Sequence, residues 1–296
     1  MSAVAEARWA LILHGGAKDI APEREEANRA GCLAALRIGQ AILENGGTAL
    51  DATEAVIRQL EDDPTFNAGR GSVRNADGVV ETDAAMMDGR TLDVGGVAAL
   101  MGVRHPVSVA RRMLREAPTL LAGDGAHRFA KETGAELCDP ADLIVDETAP
   151  TGECGHDTVG CVALDRFGDL AAGTSTGGLE GCRPGRVGDS PLPGCGLYAD
   201  NAVGGAAFSG DGESIARAMM AARTMLAMEV DAPQAALDHA VAWFARVGGD
   251  GGGIALDRRG RVGWSHNSGG FAVAYAGSDL GGPHVHLHRN EIEETE

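Results

Sequence analysis

The chain has 296 residues, 44% of them hydrophobic and only 4% aromatic, and its formal net charge at pH 7 is −18. That length can bury one large core or two small ones, and that charge repels nucleic acid and anionic membranes, so neither is expected as a partner. No stretch reaches the apolar length of a membrane span, and residues 1–9 lack a basic segment followed by an apolar one, so a cytoplasmic protein is expected.

Residues 9–13 read as an apolar strand running into a His14-Gly15-Gly16-Ala17 turn. A helix follows over 24–44, stopped by Asn45-Gly46-Gly47, and a second over 48–61 opens with Thr48 and Asp51 as a capping pair. Residues 63–72 form a compact loop, and strands are expected over 79–87 and 92–101 around an Asp88-Gly89 turn. Helices over 107–115 and 125–132 lead into residues 134–157, which carry little periodicity and two prolines, Pro140 and Pro150. A stretch of that kind reads as a flexible or functional linker.

Strands resume at 158, helices are expected over 212–228 and 233–247, and strands over 254–257 and 261–264 read as the last of the fold. Residues 162–178 and 254–270 line up without gaps as strand, Asp-Arg-x-Gly turn, strand and Gly-Gly, which points to two similar hairpins. Strands in the middle and helices in pairs imply two layers of sheet covered by helices. The six cysteines, Cys32, Cys138, Cys154, Cys161, Cys182 and Cys195, include no Cys-x-x-Cys pair and read as reduced thiols. His284, His286 and His288 alternate, so they line one face of a strand: a metal site, or more commonly a solvated strand face.

The chemistry gathers where the acidic linker gives way to a strand, at His156-Asp157-Thr158-Val159. A threonine there becomes a new amino terminus and a nucleophile if the Asp157–Thr158 bond is cut. With the hairpin turn centred near Phe167-Gly168, cross-strand residue numbers sum to about 335, which sets Thr158 opposite Thr176 to within a residue or two. An ordinary Thr–Thr strand pair gives the same spacing. Arg186 and Asp189, three apart in a Gly- and Pro-bounded loop, suit the carboxylate and ammonium of an α-amino acid, or form a local surface ion pair. Ser209-Gly210-Asp211-Gly212 opens a helix, where its hydroxyl and N–H groups serve an oxyanion or where Ser209 or Asp211 is a plain N-cap.

With Leu13-His-Gly-Gly16, Phe66-Asn-Ala-Gly69, Met87-Asp-Gly89, the strand 158–165, Thr174-Ser-Thr-Gly-Gly178, Gly185-Arg-Val-Gly-Asp-Ser-Pro191 and Tyr198-Ala-Asp-Asn201 in this order, the chain resembles the plant-type L-asparaginase/isoaspartyl aminopeptidase family of N-terminal nucleophile hydrolases. The resemblance implies an α+β fold, a four-layer αββα sandwich, made as a single-domain precursor that cuts itself into residues 1–157 (α subunit, ending in the linker) and 158–296 (β subunit). By the same resemblance Thr158 is the nucleophile and Thr176 its hydroxyl partner. Arg186 holds the substrate α-carboxylate, Asp189 its amino group, Ser209 and Gly210 form the oxyanion hole, and Gly212 lines the site. The loop of Leu60, Glu61, Asp63, Phe66, Ala68 and Arg70 resembles one that binds a structural sodium ion through main-chain oxygens; no other cofactor is implied. Two αβ units are expected to pair.

Two positions depart from the family. Ser209 replaces a usual threonine and loses the methyl that fixes the rotamer, so a looser oxyanion hole is expected. Asp157 stands where the family often has glycine; Asp-Thr is the junction of the related glycosylasparaginases. The expected reaction is hydrolysis of β-aspartyl dipeptides and of the L-asparagine side-chain amide through an acyl-enzyme on Thr158, its freed α-amino group acting as base. The alternatives are glycosylasparagine cleavage and, from another class, a non-catalytic Gly-rich protein binding a small ligand at residues 210–212.

Overall fold

An 8-stranded and a 4-stranded sheet carry the fold in the computed structural model, which describes residues 8–145 and 157–292. The first half supplies β1 (Ala10–Lys18), α1 (Pro22–Glu44), α2 (Ala49–Asp62), β2 (Thr82–Asp88), β3 (Val94–Leu100), α3 (Pro106–Met113), β4 (Leu120–Ala122) and α4 (Gly123–Glu132). The second half supplies β5 (Val159–Leu164), β6 (Leu170–Thr176), β7 (Leu197–Asp200), β8 (Gly204–Gly210), α5 (Gly212–Ala218), α6 (Met220–Met228), α7 (Pro233–Val241), α8 (Phe244–Val247), β9 (Gly251–Asp257), β10 (Val262–His266), β11 (Gly270–Gly277) and β12 (His284–His286). The large sheet runs β12-β11-β1-β5-β6-β2-β3-β4 and the small one β10-β9-β8-β7. The result is a mixed α+β fold with helices flanking two sheets.

Strand β1 shows why these elements stack. Leu11 and Leu13 join a cluster with Leu36 of α1 and Val56 of α2, whereas Ala10 and Ile12 join Val162, Ile254 and Leu256 between the sheets. Successive side chains leave a strand on opposite faces, so a strand apolar at every position is one buried on both. A third cluster, with Phe208, Ile215, Leu237 and Phe244, sits between the small sheet and the later helices. Thr48 caps α2 as its spacing implied, accepting the Asp51 N–H at 3.1 Å.

The largest difference from the sequence reading lies at the end of the chain. Residues 261–264 are not the last strand: β11 pairs with β1 from Ala10↔Gly277 to Lys18↔Gly270, in the middle of the large sheet, and β12 follows. Its Gly-Phe-Ala-Val-Ala-Tyr-Ala-Gly run is apolar on both faces and lacks the alternation that marks a half-exposed strand. The helix expected over 212–228 breaks at Met219, which is left-handed at φ 53°, and that over 233–247 breaks between α7 and α8. Of the linker, residues 134–145 are described, with Leu143 buried and its carbonyl taken by the Gly71 N–H at 2.8 Å. Residues 146–156, with Cys154 and His156, lie outside the described residues.

The three C-terminal histidines each meet a neighbouring side chain, and only His286 is buried. The His284 ring stacks on Tyr275 at 4.7 Å, His286 lies against Trp264 at 5.5 Å, and His288 reaches Glu25 at 3.2 Å. No group of three His, Cys, Asp or Glu among the described residues is placed to hold a metal ion. The cysteines other than Cys154 are free thiols.

Candidate active site

The β5–β6 hairpin pairs Val159 with Ser175, which brings Thr158 level with Thr176 at the end of the large sheet. Both are buried, at 5% and 4% exposure. The two hydroxyls nevertheless have separate partners. Thr158 Oγ1 lies 3.0 Å from Ser190 Oγ, and Thr176 Oγ1 donates to the main-chain carbonyl of Asp157 at 2.9 Å. A second donor, Asn67 Nδ2, reaches the same carbonyl at 3.2 Å. The carbonyl of the expected scissile bond thus carries two side-chain donors, the arrangement that stabilises an oxyanion when a nucleophile adds to its carbon.

Asn67 comes from the loop read as a cation site. Its amide also donates to Gly178 O at 2.8 Å, its Oδ1 accepts from Val73 N at 3.0 Å, and its carbonyl takes the Gly177 N–H at 2.9 Å. Glu61 ties the loop to β6, accepting Ser175 Oγ at 2.7 Å and Val107 N at 3.0 Å with His105 at 3.2 Å. Burial raises the Glu61 carboxyl pKa, opposed chiefly by the hydrogen bond from His105. Leu60, Phe66 and Ala68 are buried, and the carbonyls of Glu61, Asp63 and Phe66 each accept one N–H, from Arg70, Phe66 and Ala68. Each of these carbonyls keeps a second lone pair.

On the amide side, Ser209 Oγ accepts the Thr158 N–H at 3.1 Å and the Ala17 N–H at 3.0 Å. Ser209 is the penultimate residue of β8 and fully buried, while Asp211 caps α5 by accepting Ser214 N at 3.3 Å. Capping therefore belongs to Asp211, and Ser209 is left for the site. Two N–H groups thus meet at its hydroxyl. Gly210 turns the chain at φ 138° between them.

The loop of Arg186 and Asp189 is fastened to the hairpin by Thr174 Oγ1, which donates to Ser190 O at 2.7 Å. The two residues are not a surface pair. Asp189 is buried at 3% exposure with Oδ2 unpartnered, and burial pushes its carboxyl pKa up to about 8 against the pull of its own backbone and Arg186. Arg186 instead makes a two-bond fork to Glu213, Nε to Oε1 at 2.9 Å and Nη2 to Oε2 at 2.6 Å. Buried Asp83, which accepts Ala99 N at 2.8 Å, faces the same guanidinium, and burial raises its pKa to about 7. A Cβ on Gly212 would stand 2.9 Å from both Arg186 Nη2 and Asp189 Oδ1, so a side chain here would crowd the two groups.

One cleft is lined by Thr158, Thr176, Arg186, Asp189, Gly210 and Gly212, and Asp157 forms part of its wall. Every residue singled out for catalysis or substrate binding therefore borders this cleft except Ser209, which is fully buried and accepts the Thr158 N–H. Sequence reasoning assigned no role to Asn67, Ser190, Asp83, Glu213 or Lys18. Asn67 and Ser190 lay inside recognised motifs, whereas Lys18, whose ammonium pairs with the Asp157 carboxylate, carried no signal.

A buried threonine hydroxyl next to a doubly hydrogen-bonded peptide carbonyl, with an arginine and a buried aspartate in the adjoining small cleft, is the kind of site that an amidohydrolase uses. The sequence model of the asparaginase family matches residues 7–151 and 146–283. An isoaspartyl peptidase/L-asparaginase of Danio rerio is 38% identical, covering 94% of this chain and 94% of its own. That of Bos taurus is 38% identical over 92% of this chain and 96% of its own. A probable isoaspartyl peptidase/L-asparaginase of Drosophila melanogaster is 38% identical over 90% and 92%. The chain belongs to the asparaginase family, a branch of the N-terminal nucleophile hydrolases.

Proposed function

We propose that this chain is an isoaspartyl peptidase/L-asparaginase, made as an inactive precursor that activates itself by cutting the Asp157–Thr158 bond. The observation that carries the reading is the Asp157 carbonyl held by Thr176 Oγ1 and Asn67 Nδ2 beside the Thr158 hydroxyl. Thr158 Oγ adds to that carbonyl carbon, the C–N bond breaks, and the hydroxyl proton passes to the departing nitrogen. Water then hydrolyses the ester, leaving Asp157 with a free carboxylate and Thr158 with a free α-amino group.

That amino group, with an ordinary pKa of about 7.7–8.0, is the base that an unassisted threonine lacks. Ser209, which holds the Thr158 nitrogen in the precursor, keeps it in place afterwards. His14 is no substitute base: burial drives its pKa down to about 3. In turnover the Arg186 guanidinium takes the substrate α-carboxylate, Asp189 the ammonium, and Thr158 Oγ adds to the side-chain carbonyl. Ammonia or the second amino acid leaves with the proton, Ser209 and Gly210 bear the oxyanion, and water releases L-aspartate from the acyl-enzyme. Glu213 orients Arg186 by one edge of the guanidinium and leaves the other to substrate.

The three apolar clusters support the αββα sandwich of this hydrolase class, the two-subunit division at Thr158 follows from the cut, and a dimer of αβ heterodimers is the expected assembly. The free thiols favour a reducing, cytoplasmic setting. The loop around Glu61 is proposed to bind sodium through main-chain carbonyls of Leu60, Glu61, Asp63, Phe66, Ala68 and Arg70. Purified protein assayed with β-aspartyl dipeptides, L-asparagine and an asparagine-linked sugar tests the activity. Release of aspartate from the first two, lost in Thr158→Ala, supports the reading. Turnover of the sugar conjugate alone favours the glycosylasparaginase alternative to which Asp157 points.

A further inference from the structure

The Asp157 side chain is anchored as closely as its main chain. It is 5% exposed, its carboxylate pairs with the Lys18 ammonium, and Lys18 is itself only 17% exposed at the end of β1. The slot it fills is made by β1: the strand is irregular between His14 and Gly16, and Gly16 stands at φ 114° with its missing Cβ pointing at the Asp157 carboxylate. Lys18 is steadied from the other side by Thr65 O at 3.5 Å. The next residue back along the strand, Ala17, shares Ser209 Oγ with the Thr158 N–H.

The end of β1 therefore grips the scissile peptide twice, through Asp157's carboxylate and through the acceptor of Thr158's N–H. Asn67 and Thr176 hold the carbonyl between those grips. With carboxylate, carbonyl and amide each partnered, the peptide plane is held against rotation, and addition of Thr158 Oγ to the carbonyl depends on that plane's orientation. Removing the ammonium would leave a buried carboxylate unpaired, which must swing out to water or take up a proton, and either releases the grip.

We propose that Lys18 is a positioning residue for self-cleavage, holding the Asp157 carboxylate over Gly16 so that the Asp157 carbonyl faces Thr158 Oγ. The inference rests on the Asp157–Thr158 bond being the one cut. Its role belongs to the precursor: the bond that forms is Thr158 Oγ to Asp157 carbon, the bond that breaks is carbon to nitrogen, and Lys18 exchanges no proton in either. Asp157 and Lys18 act as a pair, so a chain with glycine at 157 has no use for the lysine.

The test is the first-order rate at which freshly translated full-length chain converts to two fragments, read by intact mass for wild type, Lys18→Met, Lys18→Arg, Asp157→Gly and the Lys18→Met/Asp157→Gly double variant. Lys18→Met is expected to slow cleavage on the order of 10- to 100-fold, and Lys18→Arg to restore most of the rate. Adding Lys18→Met to Asp157→Gly is expected to change nothing further. Cleavage of folded Lys18→Met at the wild-type rate overturns the proposal, and so does an equal slowing in the Asp157→Gly background, which marks Lys18 as a general support of the fold. The double variant carries no buried unpaired carboxylate, so it remains informative if Lys18→Met alone misfolds. A wild-type chain that is never cut at Thr158 sinks the parent reading instead, and is seen before any variant is compared.

Discussion

Ser209 Oγ accepts the Thr158 N–H at 3.1 Å, so the hydroxyl assigned to an oxyanion hole already holds the nitrogen that cleavage turns into the catalytic amine. On the proposed reading, one serine would serve the site before and after cleavage. Ser209→Ala would orphan the Thr158 and Ala17 N–H groups, at a cost of about 1–3 kcal/mol in stability. It is expected to lower kcat on the order of 100- to 1,000-fold, the usual effect of losing an oxyanion donor. Ser209→Thr keeps the hydroxyl and should retain activity within a few-fold. Steady-state kinetics on processed protein check both; full activity in Ser209→Ala would remove the residue from the site.

Arg186 is held by Glu213 through two short bonds on one edge of its guanidinium. Arg186→Lys keeps a charge but not the fork, and should raise KM for substrates with an α-carboxylate more than it lowers kcat. Glu213→Gln should shift KM in the same direction by a smaller factor. An unchanged KM in Arg186→Lys argues that the carboxylate binds elsewhere.

Burial raises the carboxyl pKa of Asp189 to about 8 and that of Asp83 to about 7. Raised acids bind protons more readily in the folded chain than in the unfolded one, where they titrate near 4. Their effect is therefore a loss of stability as pH rises from about 4 to about 8. Asp189→Asn and wild type should melt together near the acid end of that window, and the variant should melt higher near the alkaline end. Thermal scans across the range check the sign. In activity, the Asp189 carboxylate and the Thr158 amine are both needed without their protons, so kcat/KM should climb with pH through about 8. A flat profile there contradicts both assignments.

If the Glu61 loop binds sodium, replacing sodium by a large organic cation should lower the melting temperature by several degrees, since a ligand of the folded state stabilises it by mass action. It should also slow self-cleavage, because the same loop carries Asn67. Indifference of both quantities to the cation removes the ion from the loop and leaves Asn67 as its function.

Much of the site was legible because it is local. The Thr158–Thr176 register follows from strand periodicity around one tight turn, and the Val159–Ser175 pairing bears it out. What sequence does not carry is depth. Arg186 and Asp189 sit three residues apart, a spacing typical of surface pairs, yet Asp189 is buried and Arg186 is claimed by Glu213 from a helix 27 positions away. Lys18 meets Asp157 across 139 positions, a contact set by where β1 lies in the sheet. Strand β11 escaped because both its faces are buried, which erases the alternation that announces a strand.

The central claim is that Thr158 is liberated as an amino terminus and that its amine and hydroxyl then do the chemistry. Intact mass and N-terminal sequencing of purified wild-type protein, with β-aspartyl dipeptide turnover measured on the same sample, test it most directly. Two fragments, the second beginning at Thr158, with activity rising in step with their formation and absent from an uncut Thr158→Ala chain, are the expected result. A wild-type chain that stays intact and still hydrolyses the dipeptide would contradict it.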